Sequence, residues 1–366
     1  MKRAWPQTGK SKAGEAGLAA NRTVRADQGE WMKMAPKKWN IEINNSNNHF
    51  SNKGSEMKGF FKHASIFVFS SLFCASVLQS QEQWYNETLY PEWGQRIRMD
   101  EVIYEEKTEL QDLVIFENER FGRVLALDGV IQLTEADEYV YHEMLAHVPL
   151  LAHGNARRVL IIGGGDGGML REVLRHPNVE TVVQVEIDPS VIELSKKWIP
   201  NVSRGSFDNP RLQLVIADGA KFVQETDQRF DVIICDSTDP IGPGEVLFTS
   251  EFYGNCKRLL NPKGIFVNQN GVPFLQGFEV TDTYRNRKDH FAVTTFYLAP
   301  VPTYAGGFMA FGWATDCEEY ANVGQEILQE RLSKIDGKMK YYTPKVHQAS
   351  FALPPFIQEH IPGEGN

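Results

Sequence analysis

The sequence has few cysteines and, outside its N-terminus, few basic residues, and both scarcities exclude classes of protein. Its four cysteines, Cys74, Cys235, Cys256 and Cys317, form no C-x-x-C pair and no Cys/His cluster with metal-ligand spacing. We therefore expect no metal site, and we interpret the cysteines as reduced thiols of a cytoplasmic protein. Cys235 ends an apolar stretch just before an acid, so a catalytic thiol stays open as an alternative at that position.

Basic side chains are outnumbered in the body of the chain. The whole chain has 38 Lys and Arg against 47 Asp and Glu. Residues 1–56 hold 10 of the basic and 5 of the acidic residues, which leaves 28 basic and 42 acidic residues in the rest of the chain. An acidic surface repels phosphate backbones, which argues against a nucleic-acid partner and favours small cations. Solubility alone would also explain the excess of acids.

The N-terminal 80 residues pose a separate question. The apolar segment at residues 64–78 is too short to cross a bilayer comfortably, and residues 1–56 lack hydrophobic periodicity and predict disorder. A chain that began at Met57 would have a start like that of a signal peptide. Three interpretations of residues 1–80 stay open: an over-extended gene model, an export or membrane-tethering segment at residues 57–80, and a helix packed on the body.

The pattern from residue 81 onward predicts two domains of different architecture. Residues 81–148 alternate β-branched and aromatic runs with turn signals, which predicts a small antiparallel β domain. Residues 149–366 alternate apolar strands with helices, which predicts a Rossmann-like α/β domain. Strands are expected at 98–104, 112–118, 122–127, 130–133, 159–162, 181–187, 212–216, 231–235 and 264–268, and helices at 135–148, 169–175 and 189–198.

A glycine-rich turn with an acid inside it follows the first strand of the α/β domain. Residues 163–168 read GGGDGG and satisfy G-x-G-x-x-G, the nucleotide-binding fingerprint, after four apolar residues. The acid, Asp166, disfavours pyrophosphate, because like charges about 5 Å apart repel by roughly 3 kcal/mol at an effective dielectric of about 20. The loop therefore indicates a ligand that is cationic where a dinucleotide is anionic.

Acidic side chains follow each of the first four strands of this domain. They are Asp166, then Glu186 and Asp188, then Asp218, then Asp236 and Asp239. Ligands bind at the carboxyl ends of such strands, so we expect these acids to converge on one cleft. Glu186 lies 21 residues after Gly165, the separation typical of an acid that binds ribose hydroxyls. As alternatives, Asp218 could cap a helix, Glu186 could be a surface acid, and Asp236 and Asp239 could bond local amides.

These motifs, in this order, resemble the spermidine synthases among the polyamine aminopropyltransferases, from about Trp84 to Pro355. The resemblance rests on QD at 111–112, ALDG at 126–129, DEYVYHEM at 137–144, the glycine loop, VEID at 185–188, DG at 218–219, DSTDPIGP at 236–243 and PTY at 302–304. It implies a small β domain ahead of a methyltransferase-like Rossmann domain, which agrees with the pattern above.

The resemblance also implies an activity: transfer of an aminopropyl group from decarboxylated S-adenosylmethionine to putrescine, giving spermidine and 5′-methylthioadenosine. For the donor's adenosine and thioether it implies Gln111, Glu186, Asp218, Gly219 and Pro243, and for the donor's amine Asp166. For the polyamine channel it implies Tyr141, His142, Asp166, Asp236, Ser237, Thr238, Asp239 and Tyr304, with Trp93 as a further wall. His142 could equally be a packed, hydrogen-bonded histidine.

The expected chemistry is a direct displacement that needs no metal and no further cofactor. The donor's sulfonium makes the adjacent carbon electrophilic, and Asp236 is expected to accept the acceptor's proton as general base while Tyr141 orients the nitrogen. The alternatives are a spermine or thermospermine synthase, a putrescine N-methyltransferase, a non-catalytic homologue, and a NAD-dependent oxidoreductase with the same glycine fingerprint. A homodimer or homotetramer is expected.

Overall fold

The computed structural model describes residues 82–108 and 111–363. Its strands are β1 (Gln83–Asn86), β2 (Arg96–Met99), β3 (Glu101–Lys107), β4 (Asp112–Asn118), β5 (Gly122–Leu127), β6 (Val130–Thr134), β7 (Arg158–Gly163), β8 (Thr181–Glu186), β9 (Leu212–Ile216), β10 (Phe230–Asp236), β11 (Leu260–Gln269), β12 (Val293–Ala299) and β13 (Met309–Thr315). Its helices are α1 (Glu138–His153), α2 (Gly168–Leu174), α3 (Pro189–Trp198), α4 (Pro200–Ser203), α5 (Gly219–Glu225), α6 (Ser250–Leu259), α7 (Pro273–Lys288), α8 (Gln325–Leu332), α9 (Pro344–Ser350) and α10 (Pro355–Gln358). The predictions for residues 1–80, Cys74 included, lie outside the described residues.

Two small antiparallel sheets precede the first helix. β1 pairs with β2, and β3 to β6 form a four-stranded sheet in chain order. The turn between β5 and β6 is the two-residue hairpin Asp128-Gly129, with φ of 48° and 83°. Positive φ at both positions suits the twist of the flanking strands, and glycine adopts it without a steric cost. The expected antiparallel β architecture is thus confirmed.

The single strand predicted at residues 98–104 is wrong, because the chain bends at Asp100. Arg98 ends up in β2 and Tyr104 in β3, and these two strands belong to different sheets. The Asp100 carboxylate accepts hydrogen bonds from Arg98 Nε at 2.7 Å and from the Glu119 amide at 2.6 Å. β-Branched and aromatic residues continue on both sides of this bend, so the sequence pattern does not show it.

The larger sheet has seven strands in the order β12-β13-β11-β10-β7-β8-β9. Strands β7 to β11 pair in parallel with their neighbours, whereas β13 lies antiparallel to both β11 and β12. From β7 the chain first builds the sheet toward β9 and then returns to the other side with β10. The switch point lies between β7 and β10, where ligands of such sheets bind. This order confirms the methyltransferase-like Rossmann fold.

The sequence pattern missed β12 and β13 and misplaced some boundaries. β13 is buried at every position, so it has no alternation that would mark it as a strand, and β11 begins four residues earlier than expected. The helix expected at 135–148 extends as α1 to His153, past Pro149, so the domain boundary drawn at residue 148 falls inside it. Among the described residues, no helix combines the length and hydrophobicity needed to cross a bilayer.

Helix α1 is the element that joins the core to the site. Its residues from Val140 to Ala152 are buried, and they pack in one cluster with α2, β7 and β11. A helix buried on all sides needs partners for its polar groups, and the buried polar side chains of α1 are Glu138, His142, Glu143 and His147. These polar groups therefore form interactions inside the protein, some of which reach the cavity described next.

Candidate active site

One cavity of about 320 Å³ lies at the carboxyl ends of β7, β8 and β10. Of the fourteen residues predicted for the donor and acceptor sites, Trp93 included, twelve line it, and the acids among them come from neighbouring strand ends. The twelve are Gln111, Tyr141, His142, Asp166, Glu186, Asp218, Gly219, Asp236, Ser237, Thr238, Asp239 and Tyr304. Of the other two, Pro243 lies in the 3-10 turn Gly242–Phe248, which borders the cavity through Gly244 and Leu247.

The glycine loop holds β7 and β10 against each other at the cavity floor. Gly163 pairs with Asp236 across the two strands, and it has a φ of +85°. A Cβ atom at Gly163 would lie 2.1 Å from the carbonyl oxygen of Asp236, so a larger residue does not fit. The next amide, that of Gly164, donates to the same carbonyl at 2.9 Å. The fingerprint thus fixes the backbone that carries Asp236.

Two acids at the ends of β8 and β9 form the side expected to bind the donor. Glu186 is buried, and its carboxylate accepts a hydrogen bond from the Asp188 amide at 3.0 Å. Burial raises the pKa of Glu186 to about 7, so a ligand hydroxyl would meet a carboxyl that is only partly ionised at neutral pH. Asp218 caps α5 by accepting from the Ala220 and Lys221 amides, and it also lines the cavity. A role as helix cap and a role in the site are therefore compatible for Asp218.

Gln111 has a structural partner at the cavity wall. Its side-chain amide donates to Asp188 Oδ2 at 2.9 Å, while Asp188 Oδ1 caps α3 by accepting from the Ser190 amide. Gln111 therefore connects the β-sheet region to the end of β8. The Gln111 side chain lines the cavity, and its hydrogen bond to Asp188 fixes the orientation of its amide group.

Tyr141 and Asp236 meet directly in the middle of the cavity. The Tyr141 hydroxyl donates to Asp236 Oδ1 at 2.7 Å, and Asp236 Oδ2 is buried without a hydrogen-bond partner among the described residues. Burial, together with the nearby Asp166 carboxylate, raises the pKa of Asp236 to about 6. A carboxylate with one free oxygen and a raised pKa is suited to accept a proton.

His142 lies between two acids, which raise its pKa. Its Nδ1 is 2.7 Å from Glu138 Oε2, and its Nε2 is 3.4 Å from Asp166 Oδ1. Burial alone lowers the pKa of His142, but Asp166 and Glu138 outweigh burial and raise this pKa to about 10. Burial likewise opposes ionisation of Asp166, yet His142 and the Gly168 amide hold the Asp166 pKa below its usual value.

His142, Asp166 and Asp236 together form a cluster that could hold a cation. One donor atom from each lies within 4.8 Å of the others, a spacing that also suits a metal ion. The two carboxylates could accept hydrogen bonds from an organic ammonium group, and all three side chains could also ligate a metal ion. The three residues are far apart in the sequence, which is why ligand spacing did not reveal the cluster.

A buried ion network behind His142 was missed by the sequence analysis. Arg171 binds Glu138 through two hydrogen bonds, of 2.8 and 3.2 Å, and also binds Glu172 at 2.8 Å. Glu172 in turn lies 2.9 Å from His147. Glu138 is inside the quoted DEYVYHEM motif, but the sequence alone gives no reason to pair it with an arginine 33 positions away.

Asp239 lies at the other end of the loop after β10, among amide groups. Gln276 Nε2 donates to Asp239 Oδ2 at 3.1 Å, and Gln269 Nε2 lies 3.4 Å from Asp239 Oδ1. Burial raises the pKa of Asp239. Both glutamines line the cavity, and neither was predicted. Gln269 ends β11, so extending the strand-end argument to the fifth strand would have found it.

Of the two aromatic residues Tyr304 and Trp93, only Tyr304 lines the cavity. Tyr304 lines the cavity and contacts Tyr141 edge to face at 5.9 Å, with its hydroxyl donating to the Gln132 carbonyl. Trp93 is 45% exposed, and its ring lies 6.2 Å from that of Tyr90, a residue that lines the cavity. The structure therefore places Trp93 behind the wall that Tyr90 forms.

Cys235 does not fit the alternative of a catalytic thiol. Its side chain is buried in a hydrophobic cluster with Phe252, Tyr253 and Phe266. Burial raises the pKa of Cys235 to about 12, so the thiolate is essentially absent near neutral pH. Cys256 and Cys317 are buried as well, and no disulfide forms among the described cysteines.

Comparison with known proteins finds similarity along the whole described region. Residues 138–323 match the model of the spermine/spermidine synthase domain, and residues 83–135 match that of the spermidine synthase tetramerisation domain. A polyamine aminopropyltransferase of Shigella flexneri serotype 5b is 56% identical over 284 residues, 78% of this chain and 98% of that protein. One from Escherichia coli O1:K1 has the same identity and coverage.

Solved structures show the same similarity in three dimensions. The crystal structure of a spermidine synthase in complex with the transition state analogue AdoDATO has a TM-score of 0.73 and 42% identity, and it covers 77% of this chain and 95% of its own. The spermidine synthase of Thermotoga maritima has a TM-score of 0.71 at the same identity, covering 77% and 94%.

Proposed function

Since the chain belongs to the spermidine synthase family and is an aminopropyltransferase, we propose that it converts decarboxylated S-adenosylmethionine and putrescine into 5′-methylthioadenosine and spermidine. The observation that carries the proposal is the pair of acids with opposite pKa shifts in one cavity: Asp166, held ionised by His142, and Asp236, whose pKa is raised. The first suits a bound ammonium group, and the second suits a base.

The donor binds with its adenosine toward the ends of β8 and β9. The ribose hydroxyls bind Glu186, the adenine lies near Asp218 and Gly219, and Gln111 and Pro243 border the thioether. The aminopropyl amine binds Asp166, whose ionised carboxylate favours a cation at that point. Ordinary S-adenosylmethionine has a carboxylate in this region, and Asp166 would repel it, which disfavours an N-methyltransferase.

The reaction is an in-line displacement at the carbon next to the sulfonium. The acceptor amine transfers one proton to Asp236, and its nitrogen then forms the new C–N bond. The C–S bond breaks, and its electron pair stays on sulfur, which becomes the neutral thioether of 5′-methylthioadenosine. Tyr141 orients Asp236 through its 2.7 Å hydrogen bond, while Asp236 Oδ2 faces the incoming amine. The reactants supply the electrophile, so the mechanism uses no metal and no further cofactor.

The acceptor channel runs from Asp236 past Ser237 and Thr238 to Asp239. His142 contributes its charge at the Asp166 end, and Tyr304 forms an apolar wall against Tyr141. A second acid at Asp239, with no arginine or lysine paired to it in the described chain, favours an acceptor with a second ammonium group. The name polyamine aminopropyltransferase leaves the length of that acceptor open, so a spermine or thermospermine synthase is the second candidate.

A product panel tests this proposal. Purified protein is incubated with decarboxylated S-adenosylmethionine and, in separate reactions, with putrescine, cadaverine and spermidine, and products are identified by mass spectrometry. We expect spermidine from putrescine as the main product, with equimolar 5′-methylthioadenosine. A product from spermidine but not from putrescine would support the second candidate instead. Reduction of NAD by the protein with any of these amines would support the dinucleotide interpretation.

The proposal extends to the assembly of the protein and its location in the cell. We propose a homo-oligomer, a dimer or a tetramer, because residues 83–135 match a domain that bears the name of tetramerisation in the family. We also propose a cytoplasmic location, supported by the buried free cysteines at 235, 256 and 317. The acidic body supports small cationic substrates rather than nucleic acid as partners.

A further inference from the structure

Behind Asp239 lies a second buried acid that the mechanism above does not use. Glu279, on α7, is 3% exposed, and its Oε1 accepts a hydrogen bond from Gln276 Nε2 at 2.7 Å. The same nitrogen donates to Asp239 Oδ2 at 3.1 Å. One side-chain amide therefore bridges two carboxylates, and each of its N–H groups serves one acid.

The orientation of Gln276 is determined by its other partners. Its Oε1 accepts from the Val272 amide and from the Tyr90 hydroxyl, both at 2.8 Å. A backbone N–H can only donate, so the oxygen of Gln276 must face Val272 and its nitrogen must face the acids. Gln276 thus uses both N–H groups and both acceptor positions, and it cannot flip without losing hydrogen bonds.

The second oxygen of Glu279 has no partner in the described part of the protein. Glu279 Oε2 is buried and has no hydrogen-bond partner among the described residues. It lies against Gly271, which lines the cavity with a φ of +63°, and a Cβ atom there would be 2.8 Å from that oxygen. The missing side chain at Gly271 leaves the Glu279 carboxylate directly behind the cavity wall.

This acidic end of the cavity has no protein cation to balance it. Burial and the nearby Asp239 raise the pKa of Glu279 to about 8, and no described Lys, Arg or His pairs with either acid. Glu87, another cavity residue, has its pKa raised by burial and also by Asp239. At the opposite end, by contrast, Asp166 has His142. Buried acids without a cation are costly unless a ligand supplies one.

We propose that Glu279, acting through Gln276, is a positioning residue that selects acceptors with a second ammonium group at Asp239. The inference rests on the proposed function, because it assumes that the acceptor is an amine with one end at Asp236. Glu279 orients the Gln276 amide, and that amide holds the Asp239 carboxylate toward the cavity. A distal ammonium beside Asp239 favours the ionised form of Glu279, so the charge of this acid adds to the field only once a diamine is bound. A monoamine, which has no group at this end, gains nothing from Glu279.

The test compares a diamine with a monoamine. Binding of 1,4-diaminobutane and of butylamine is measured by calorimetry in the presence of 5′-methylthioadenosine. For Glu279→Gln we expect about tenfold weaker diamine binding, the effect of losing one charge interaction in a buried site, and less than a twofold change for butylamine. Glu279→Asp should recover part of the diamine affinity. Asp282→Asn, which removes an exposed acid on the same helix, should change neither.

A second variant tests the route through the amide. Gln276→Met removes the bridge, and because the two residues share one route, its combination with Glu279→Gln should weaken diamine binding by less than the two separate losses multiplied together. Additive losses would overturn a route through Gln276, and equal losses for both amines, or none, would overturn the selection. If Glu279→Gln does not fold, Glu279→Asp and Gln276→Met test the proposal by the same comparison, the loss of diamine affinity against the loss of butylamine affinity. A wild-type protein that binds no diamine at all would instead defeat the proposed function.

Discussion

At the scale of single residues, the cavity separates two aspartates that the sequence presents as equivalent. Asp166 and Asp236 both follow strands, and both lie near His142. Asp166 accepts from the Gly168 amide at 2.7 Å and faces the imidazolium, whereas Asp236 receives only the Tyr141 hydroxyl. Different partners move their pKa values in opposite directions, the pattern expected when one acid must stay charged and the other must exchange a proton.

The first prediction concerns the base. Asp236→Asn should lower turnover by about 10²- to 10⁴-fold, because an amide cannot accept the amine's proton. Affinity for 5′-methylthioadenosine, measured by calorimetry, should change less than twofold. Asp166→Asn removes the same charge from the same cavity, and it should instead weaken binding of the decarboxylated donor. Equal effects of the two variants on donor binding and turnover would contradict the separate roles.

The second prediction is a pH dependence. Asp236 must be ionised to accept a proton, and its pKa is raised to about 6, so the ionised fraction falls as pH drops through 6. The value of log kcat/KM for the acceptor should show an additional decrease below about pH 6, with a slope of one per pH unit. Asp166→Asn removes one cause of the raised pKa and should move this break to lower pH. A profile with no break between pH 5 and 7 would argue against Asp236 as the base.

At the scale of elements, helices α1 and α2 hold the charged side of the cavity. Glu138 and His142 lie four residues apart on α1, which places them on one face, and Arg171 of α2 binds Glu138. Arg171 also donates to the Val202 carbonyl in α4. One buried guanidinium therefore connects three helices, and its loss would remove one ion pair from each of Glu138 and Glu172.

The third prediction follows from that network. Arg171→Met should destabilise the protein by about 3–5 kcal/mol, because it breaks the buried ion pairs with Glu138 and Glu172. Arg157→Met removes an arginine from an exposed pair with Glu180, and it should cost less than about 1 kcal/mol. Urea unfolding followed by circular dichroism measures both. Equal losses of stability would mean that the Arg171 network adds nothing beyond a surface pair.

The fourth prediction separates steric conflict from backbone strain at the glycine loop. Gly163 and Gly205 both have positive φ, +85° and +77°. A Cβ atom would strike the Asp236 carbonyl at Gly163, but it would meet nothing within 4 Å at Gly205. Gly205→Ala should therefore cost about 1 kcal/mol in unfolding free energy, and Gly163→Ala should cost more and also reduce turnover. Matching stability losses with full activity in both would contradict this.

At the scale of the whole molecule, we expect assembly into a homo-oligomer. Residues 83–135, which match the tetramerisation domain, hold two antiparallel sheets ahead of the catalytic fold. Sedimentation velocity should give a mass of two or four times 41.5 kDa at micromolar concentration. Dilution tests whether the assembly is stable. A mass of one chain at all concentrations would contradict the prediction.

Much of this protein follows from local patterns in its sequence. Apolar runs followed by Gly or Asp marked β7, β8 and β10, and the order of elements indicated the α/β fold. Because parallel strands end at one edge, acids at four strand ends had to come together, and the quoted motifs already indicated the family. These features depend on neighbours in the chain or on the fixed geometry of a parallel sheet.

The tertiary structure decided what depends on distant partners. It inserted β13 antiparallel between β11 and β12, and because β13 is buried at every position it has no periodic signal in the sequence. It paired Arg171 with Glu138, 33 residues away, and Gln276 with Asp239, 37 residues away. Gln276 also binds Glu279, which lies within one turn of the same helix. It also gave Asp166 and Asp236 opposite pKa shifts. Burial and charge balance depend on which groups meet in space. The sequence was therefore sufficient to identify the acids of the site, whereas their pKa shifts followed only from the tertiary structure.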